Sequence, residues 1–448
     1  MLIRVLALCL AAFAVVVVRA DSAMLVLVSI DGLAAYHLKN PALDLPTLRA
    51  LARAGVEAES SETVFPSVTH PSHTTLLTGV RPLRHGVLSN QVVDRRTGER
   101  FHVTNRSRTD MVKVPTLFDA AKRKGLTTAA FYWPETKDDP SVDFNVPEVF
   151  AAPNVADIGA VPAGVMRELR EAGVPIDDFY RYYDHPYLHG TSDFALAKAA
   201  AHALTTRQPG LTAIHFLMTD VVQHEVGPAH YRSLAALSTA DAALGVLVDA
   251  VATAGLADRT TFIVAADHGF ATVAWELNVA PLFATPMLDG KVNVHAQGWT
   301  TWLELTSAFD RGRDQDALDA ALARAAQTTG IARVIGPDGF HALGLPTYDE
   351  SPYVRGHYIV VADIDTFLVL RPESSSMDRS RLEDPRHTHG YLPSHPQMYP
   401  ALVLSGRGIA TGRKIGHVHN LDVAPTIAHL LGLDMEDVEG RVLTEALR

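Results

Sequence analysis

The chain has 448 residues, 47% of them hydrophobic and 20% charged, with 30 Gly and 26 Pro. That composition excludes collagen, coiled-coil and low-complexity chains and describes an ordinary globular protein large enough for a core and an excursion. Lys and Arg total 39 against 50 Asp and Glu, a formal charge of -11, and no basic cluster offers a footprint for a polyanion, which argues against nucleic acid as a structural partner.

Val5 to Val18 form an uncharged run behind Arg4. The run is short of the roughly 20 residues that span a bilayer and has the length of a signal-peptide core. Val18-Arg19-Ala20 offers small residues at the cleavage positions, so residues 1–20 are expected to be a leader, the protein to be exported to the periplasm or secreted, and no stable membrane span to remain; an uncleaved anchor is the alternative. The sole cysteine, Cys9, lies in this leader, and the mature chain would need no disulfide. Loss of Arg4 and Arg19 takes Lys plus Arg from 39 to 37 and the charge from -11 to -13.

Met24 to Ile30 is continuously apolar, as a strand buried on both faces should be, and ends in Asp31-Gly32. Helical periodicity from Leu45 to Gly55 follows. Helix then strand recurs in Pro115–Gly125 with Leu126–Trp133, Phe194–Thr206 with Leu211–Met218, and Tyr231–Gly255 with Thr260–Ala266. The alternation predicts an α/β fold, a mostly parallel sheet sandwiched by helices. Between 271 and 384 the pattern changes to strands at Val292–Leu305 and Tyr358–Leu370 around a helix at Gln315–Gln327, which reads as an inserted α+β cap. The core then resumes with a strand at Ala401–Leu404 and a helix at Val423–Leu431, so the core comprises 21–270 and 385–448.

Three apolar runs end in aspartate, at Asp31, Asp220 and Asp267, the last followed by His268. One such residue is ordinarily a turn former or helix cap. In a parallel sheet, however, strand carboxyl ends share the edge at which ligands bind, so three carboxylates can converge there. Asp220 and His224 are four apart and share a face if that segment is helical, a donor pair suited to Zn²⁺ or a similar ion. Thr69 precedes an expected helix at Thr74–Val80; it is either a cap or a nucleophile served by the positive end of that helix.

These segments, Val28–Gly32, Phe65–Asn90, Thr219–Pro228, Ala266–Phe270, His389–Met398 and Asn420–Leu433, resemble in order the nucleotide pyrophosphatase/phosphodiesterase branch of the alkaline phosphatase superfamily. The resemblance implies an alkaline phosphatase-like core and two divalent ions, Zn²⁺ by the mixed donors. One ion would be held by Asp220, His224 and His389 and the other by Asp31, Thr69, Asp267 and His268, with Thr69 as nucleophile and Asn90 as a donor to phosphate oxygen. Among His387, His389 and His395, the following Gly390-Tyr391 selects His389. The implied activity is cleavage of a small phosphodiester or phosphoanhydride through a phosphothreonine. Its alternatives are a phosphomonoesterase or phosphonate hydrolase of the superfamily, or, in another class, a non-catalytic exported binding protein. Four positive charges would meet four negative ones from Asp31, Asp220, Asp267 and the Thr69 alkoxide, a balance that favours a diester monoanion. Two departures bear on the substrate: His70 stands where nucleotide-cleaving members commonly carry Phe, and His215 where they carry a base-stacking Tyr, so these two imidazoles are the expected substrate contacts, with Tyr182, Tyr183 and Tyr187 as a further aromatic wall.

Overall fold

The computed structural model describes residues 23–149, 159–177 and 189–448; the expected leader with Cys9 lies outside them. In chain order the strands begin with β1 (Met24–Ile30), β2 (Val56–Glu62), β3 (Gln91–Val93), β4 (Arg100–His102), β5 (Thr128–Phe131), β6 (Phe144–Val146), β7 (Leu211–Phe216) and β8 (Thr260–Ala265). β9 (Ala271–Asn278), β10 (Val292–Ala296), β11 (Thr300–Leu305), β12 (Ile331–Ile335), β13 (Tyr358–Ala362), β14 (Thr366–Val369) and β15 (Arg379–Thr388) follow, then β16 (Leu402–Gly406) and β17 (Arg413–His419). The central sheet has eight strands in the order β17-β2-β16-β8-β1-β7-β5-β6. β16 alone runs antiparallel to its neighbours β8 and β2.

β1 is central because both its faces are apolar. Met24, Val26, Val28 and Ile30 pack into one layer with Leu237, Leu244 and Leu247 of the helix Tyr231–Thr253. Leu25 and Leu27 pack into the other with Leu76, Ile427 and Leu431. Full burial of each such side chain stabilises by about 1.5–3 kcal/mol. The helix Tyr231–Thr253 is long and apolar enough to cross a membrane, but its Leu237–Leu244 stripe is buried against the sheet. Asp241 on this helix also caps a neighbour. Its carboxylate accepts the Thr47 and Leu48 N–H groups at 2.9 and 2.7 Å, which the uncapped start of the helix Pro46–Ala54 leaves without partners.

Three local expectations change. The helix expected at Thr74 begins at Thr69 and runs to Thr78; Pro71 falls at its third position, where an N–H has no helical acceptor and none is missed. Val292–Leu305 is a hairpin, β10 and β11 turning at Gly298, and Tyr358–Leu370 divides between two sheets as β13 and β14. β10-β11-β13-β12 form one sheet and β14-β9-β15 another, so residues 271–388 add nothing to the central sheet. We propose that residues 271–384, within this segment, are organised as the cap.

Candidate metal centre and nucleophile

β1 lies between β8 and β7 and runs parallel to both, so the three strands end along one edge. Asp31 follows β1 and Asp267-His268 follows β8. β7 leads through Leu217 into the helix Met218–Val226, which carries Asp220 and His224 one turn apart. Buried Asp193 fixes the start of that helix by accepting the Leu217 N–H at 3.1 Å. The Asp31-Gly32 turn is pinned from two sides: the Gly32 N–H donates to Asp267 Oδ1 at 3.1 Å, and its carbonyl accepts from Gln223 Nε2 at 3.1 Å. Gly32 has φ +67°, and a Cβ there would stand 2.9 Å from Gln223 Nε2, so a side chain at this turn would be strained and glycine is favoured.

Three imidazoles meet these carboxylates in one manner. His224 Nδ1 donates to the His387 carbonyl at 2.8 Å, His389 Nδ1 to the Ser67 carbonyl at 2.8 Å, and His268 Nδ1 to the Gly269 carbonyl at 3.0 Å. Each therefore turns its Nε2 lone pair toward carboxylate oxygen. His224 and His389 stand 3.4 and 3.5 Å from Asp220 Oδ1, and His268 stands 3.4 Å from Asp31 Oδ1 and 3.1 Å from Asp267 Oδ2. A carbonyl on the second ring nitrogen is how ligating histidines are oriented.

Lone pairs facing lone pairs in a buried place repel unless a cation lies between them. Asp31 Oδ1, Asp220 Oδ1, Asp267 Oδ2 and His268 Nε2 are buried without a hydrogen-bond partner, so the donor set fits divalent ions. Ligand atoms of Asp31, Asp267 and His268 lie within 4.8 Å of one another, and so do those of Asp220, His268 and His389. His268 thus stands between the two groups. Burial, then repulsion from Asp267 and Asp220, raises the Asp31 carboxyl well above its ordinary range, and burial pushes Asp220 up to about 6. Burial also pushes His268 down to about 3 and His389 well below its ordinary value, so these two imidazoles are held neutral and able to ligate.

Thr69 is the first residue of its helix, nearly buried, and no hydrogen bond among the described residues uses its hydroxyl. It is therefore not the cap. The His70 N–H donates to Asn90 Oδ1 at 3.0 Å, which leaves the Asn90 amide NH₂ to donate elsewhere. His387, on β15, has its ring 3.1 Å from the Thr272 hydroxyl, and His395 accepts the Gln397 N–H; neither ring meets Asp220.

His70 and His215 occupy interior positions. His215 is fully buried, with Nε2 3.0 Å from Asp31 Oδ2. His70 is 1% exposed, its Nδ1 2.5 Å from Glu135 Oε1, and Glu135 also accepts from the Thr74 hydroxyl at 3.1 Å. Burial raises the Glu135 carboxyl and takes His70 down to about 3. Tyr182, Tyr183 and Tyr187 lie outside the described residues. Sequence reasoning missed Glu135, the buried Glu148 whose Oε2 stands 4.0 Å from His70 Nε2, His73 and Phe270. His73 follows Thr69 by one helical turn and bonds its carbonyl at 2.8 Å, a signal hidden by the expected helix start. Phe270, whose ring stands 4.8 Å from that of His224 and 5.5 Å from that of His389, is the apolar wall of the site and sits one residue beyond Gly269 in an already recognised segment. Nothing local marks Glu135 or Glu148.

A family described as type I phosphodiesterase / nucleotide pyrophosphatase matches residues 25–391. The chain is 24% identical over 253 residues to ectonucleotide pyrophosphatase/phosphodiesterase family member 3 of Rattus norvegicus, covering 56% of this chain and 25% of that protein. It is 23% identical over 434 residues to bis(5'-adenosyl)-triphosphatase enpp4 of Mus musculus, covering 91% and 77%. The chain thus spans about a quarter of the length of the first curated relatives it matches. The solved structure of human ectonucleotide pyrophosphatase/phosphodiesterase 5 superimposes with a TM-score of 0.71 at 16% identity, over 95% of this chain and 100% of that one, a likeness of fold.

Proposed function

The chain belongs to the type I phosphodiesterase/nucleotide pyrophosphatase family, and we propose that it is an exported hydrolase of phosphodiester or phosphoanhydride bonds, using two divalent cations and a phosphothreonine on Thr69. What carries the reading is the set of three imidazoles with Nδ1 on backbone carbonyls and Nε2 on buried carboxylates, close in fold to an unengaged hydroxyl at a helix start. Asp220, His224 and His389 would hold one cation and Asp31, Thr69, Asp267 and His268 the other, and such ions, Zn²⁺ by the donor set, supply Lewis-acid stabilisation of anionic oxygen.

The chain's own part follows from its groups. Thr69 Oγ1 forms the bond to phosphorus as the bond to the leaving oxygen breaks, with the positive end of its helix favouring the anionic nucleophile. The Asn90 amide, its oxygen held by the His70 N–H, donates to a non-bridging oxygen on which charge builds. Water then cleaves the phosphothreonine, which releases a phosphate monoester and restores the hydroxyl. Asp31, Asp220, Asp267 and a Thr69 alkoxide balance two divalent ions, and the uncharged Asn90 adds no cation for a dianion, so a diester is the preferred substrate. Export is supported by the uncharged run behind Arg4 and by likeness to an ectonucleotide enzyme.

Steady-state rates with added Zn²⁺ on bis-p-nitrophenyl phosphate, p-nitrophenyl phosphate and a nucleotide diester test the reading. The diesters should show the higher kcat/KM. An equal or higher value for p-nitrophenyl phosphate would replace it with a phosphomonoesterase.

A further inference from the structure

β17 forms the edge of the central sheet and pairs in parallel with β2 alone, in a register that sets His417 beside Ser60 and His419 beside Glu62. Residues two apart on a strand share a face, so both imidazoles and the carboxylate project from the same side. His417 Nε2 stands 3.4 Å from Glu62 Oε2, and one ligand atom from each of Glu62, His417 and His419 lies within 4.8 Å of the other two. His417 Nδ1 is 2.8 Å from the Ser60 hydroxyl; with that N–H donating to Ser60, the Nε2 lone pair is left for a ligand, the same division of labour found at the metal centre.

A hydrogen bond accounts for one histidine beside one glutamate. His341 with Glu350, His295 with Glu304 and His202 with Glu168 are such pairs, at 2.7, 3.2 and 3.0 Å. The β17 group adds a second imidazole, and among the described residues only it and the metal centre gather three ligand groups. We propose that Glu62, His417 and His419 form a separate surface site for a divalent ion of the zinc type, which ties the edge strand β17 to β2. Both histidines are exposed, so a fourth position is open to water. The site also has a rigid base: Asn420, next in the chain, accepts from the Ser61 hydroxyl at 2.7 Å and donates to the Ala266 carbonyl at 3.0 Å.

The test is the zinc content per chain of the full protein equilibrated with micromolar free Zn²⁺, for wild type, His419→Ala, Glu62→Gln and, as a control exposed histidine, His341→Ala. Wild type and His341→Ala should carry one zinc more than His419→Ala or Glu62→Gln, with hydrolysis of bis-p-nitrophenyl phosphate unchanged in all four. The last rise of melting temperature on zinc addition should vanish in the two site variants. Because the readout is a difference between proteins with the same metal centre, it holds whatever number of ions that centre takes. His417→Gln, which keeps an amide for Ser60, replaces any variant that fails to fold. Equal zinc in wild type and His419→Ala overturns the proposal.

Discussion

His215 Nε2 lies 3.0 Å from Asp31 Oδ2, with both side chains fully buried, and Asp31 Oδ1 is left facing His268. The imidazole thus occupies one carboxylate oxygen and aims the other. Removal of such an outer partner typically costs 10–100-fold in metal affinity. His215→Phe, which keeps an aromatic face, should weaken zinc binding by about that factor, whereas His215→Gln, which keeps a polar group beside Asp31, should lose less. Zinc competition with a chelator dye reads the effect. If Phe retains full affinity and activity on nucleotide diesters while Gln loses it, His215 stacks on substrate instead.

Thr69→Ala removes the attacking oxygen and a metal ligand together, so kcat should fall on the order of 10³-fold or more, and Thr69→Ser should retain far more. Acid quench during turnover should trap phosphate on Thr69, and a substrate with chiral phosphorus should react with net retention through two inversions. Inversion would remove the covalent step and leave Thr69 as a ligand.

His389 is fixed by the Ser67 carbonyl and faces Asp220, whereas His387 offers that centre only its carbonyl, to His224. His389→Ala should therefore cost zinc and activity, and His387→Ala should cost neither by more than a few-fold. The reverse ranking, by elemental analysis and rate, would exchange their roles.

His85 is one of several buried histidines that contribute to the acid limb of stability, and it does so without touching the metal centre. It is fully buried, its Nδ1 accepts the Val87 N–H at 3.2 Å and its Nε2 donates to the Thr75 hydroxyl at 3.2 Å. Burial takes its pKa down from 6.5 to about 3. The unfolded chain thus binds a proton that the folded one refuses. The contribution of His85 is complete above pH 6.5 and is lost progressively as the pH falls from there toward 3. His85→Asn keeps an acceptor for Val87 and cannot titrate, so its melting temperature should decline less than that of wild type between pH 7 and 5. Parallel declines would show that His85 contributes nothing to the acid limb.

Much of the architecture is legible along the chain because β1, β7 and β8 are buried on both faces and therefore read as mostly apolar runs, with few polar residues within them. β2 and β17 are not legible. Their segments, Val56–Glu62 and Arg413–His419, are rich in polar residues, and what makes them strands is pairing with each other and with β16. The aspartates at strand ends can be picked out one at a time, since each is a local event of residue type after an apolar run. That they converge depends on the order β8-β1-β7, which joins segments some 235 residues apart, as in the bond from Gly32 to Asp267. Burial decides the rest. A histidine is read from sequence as a polar ring available to substrate, yet His70 and His215 are interior groups because Glu135 and Asp31 satisfy them there, and a desolvated imidazole is kept by a partner that only the tertiary structure supplies.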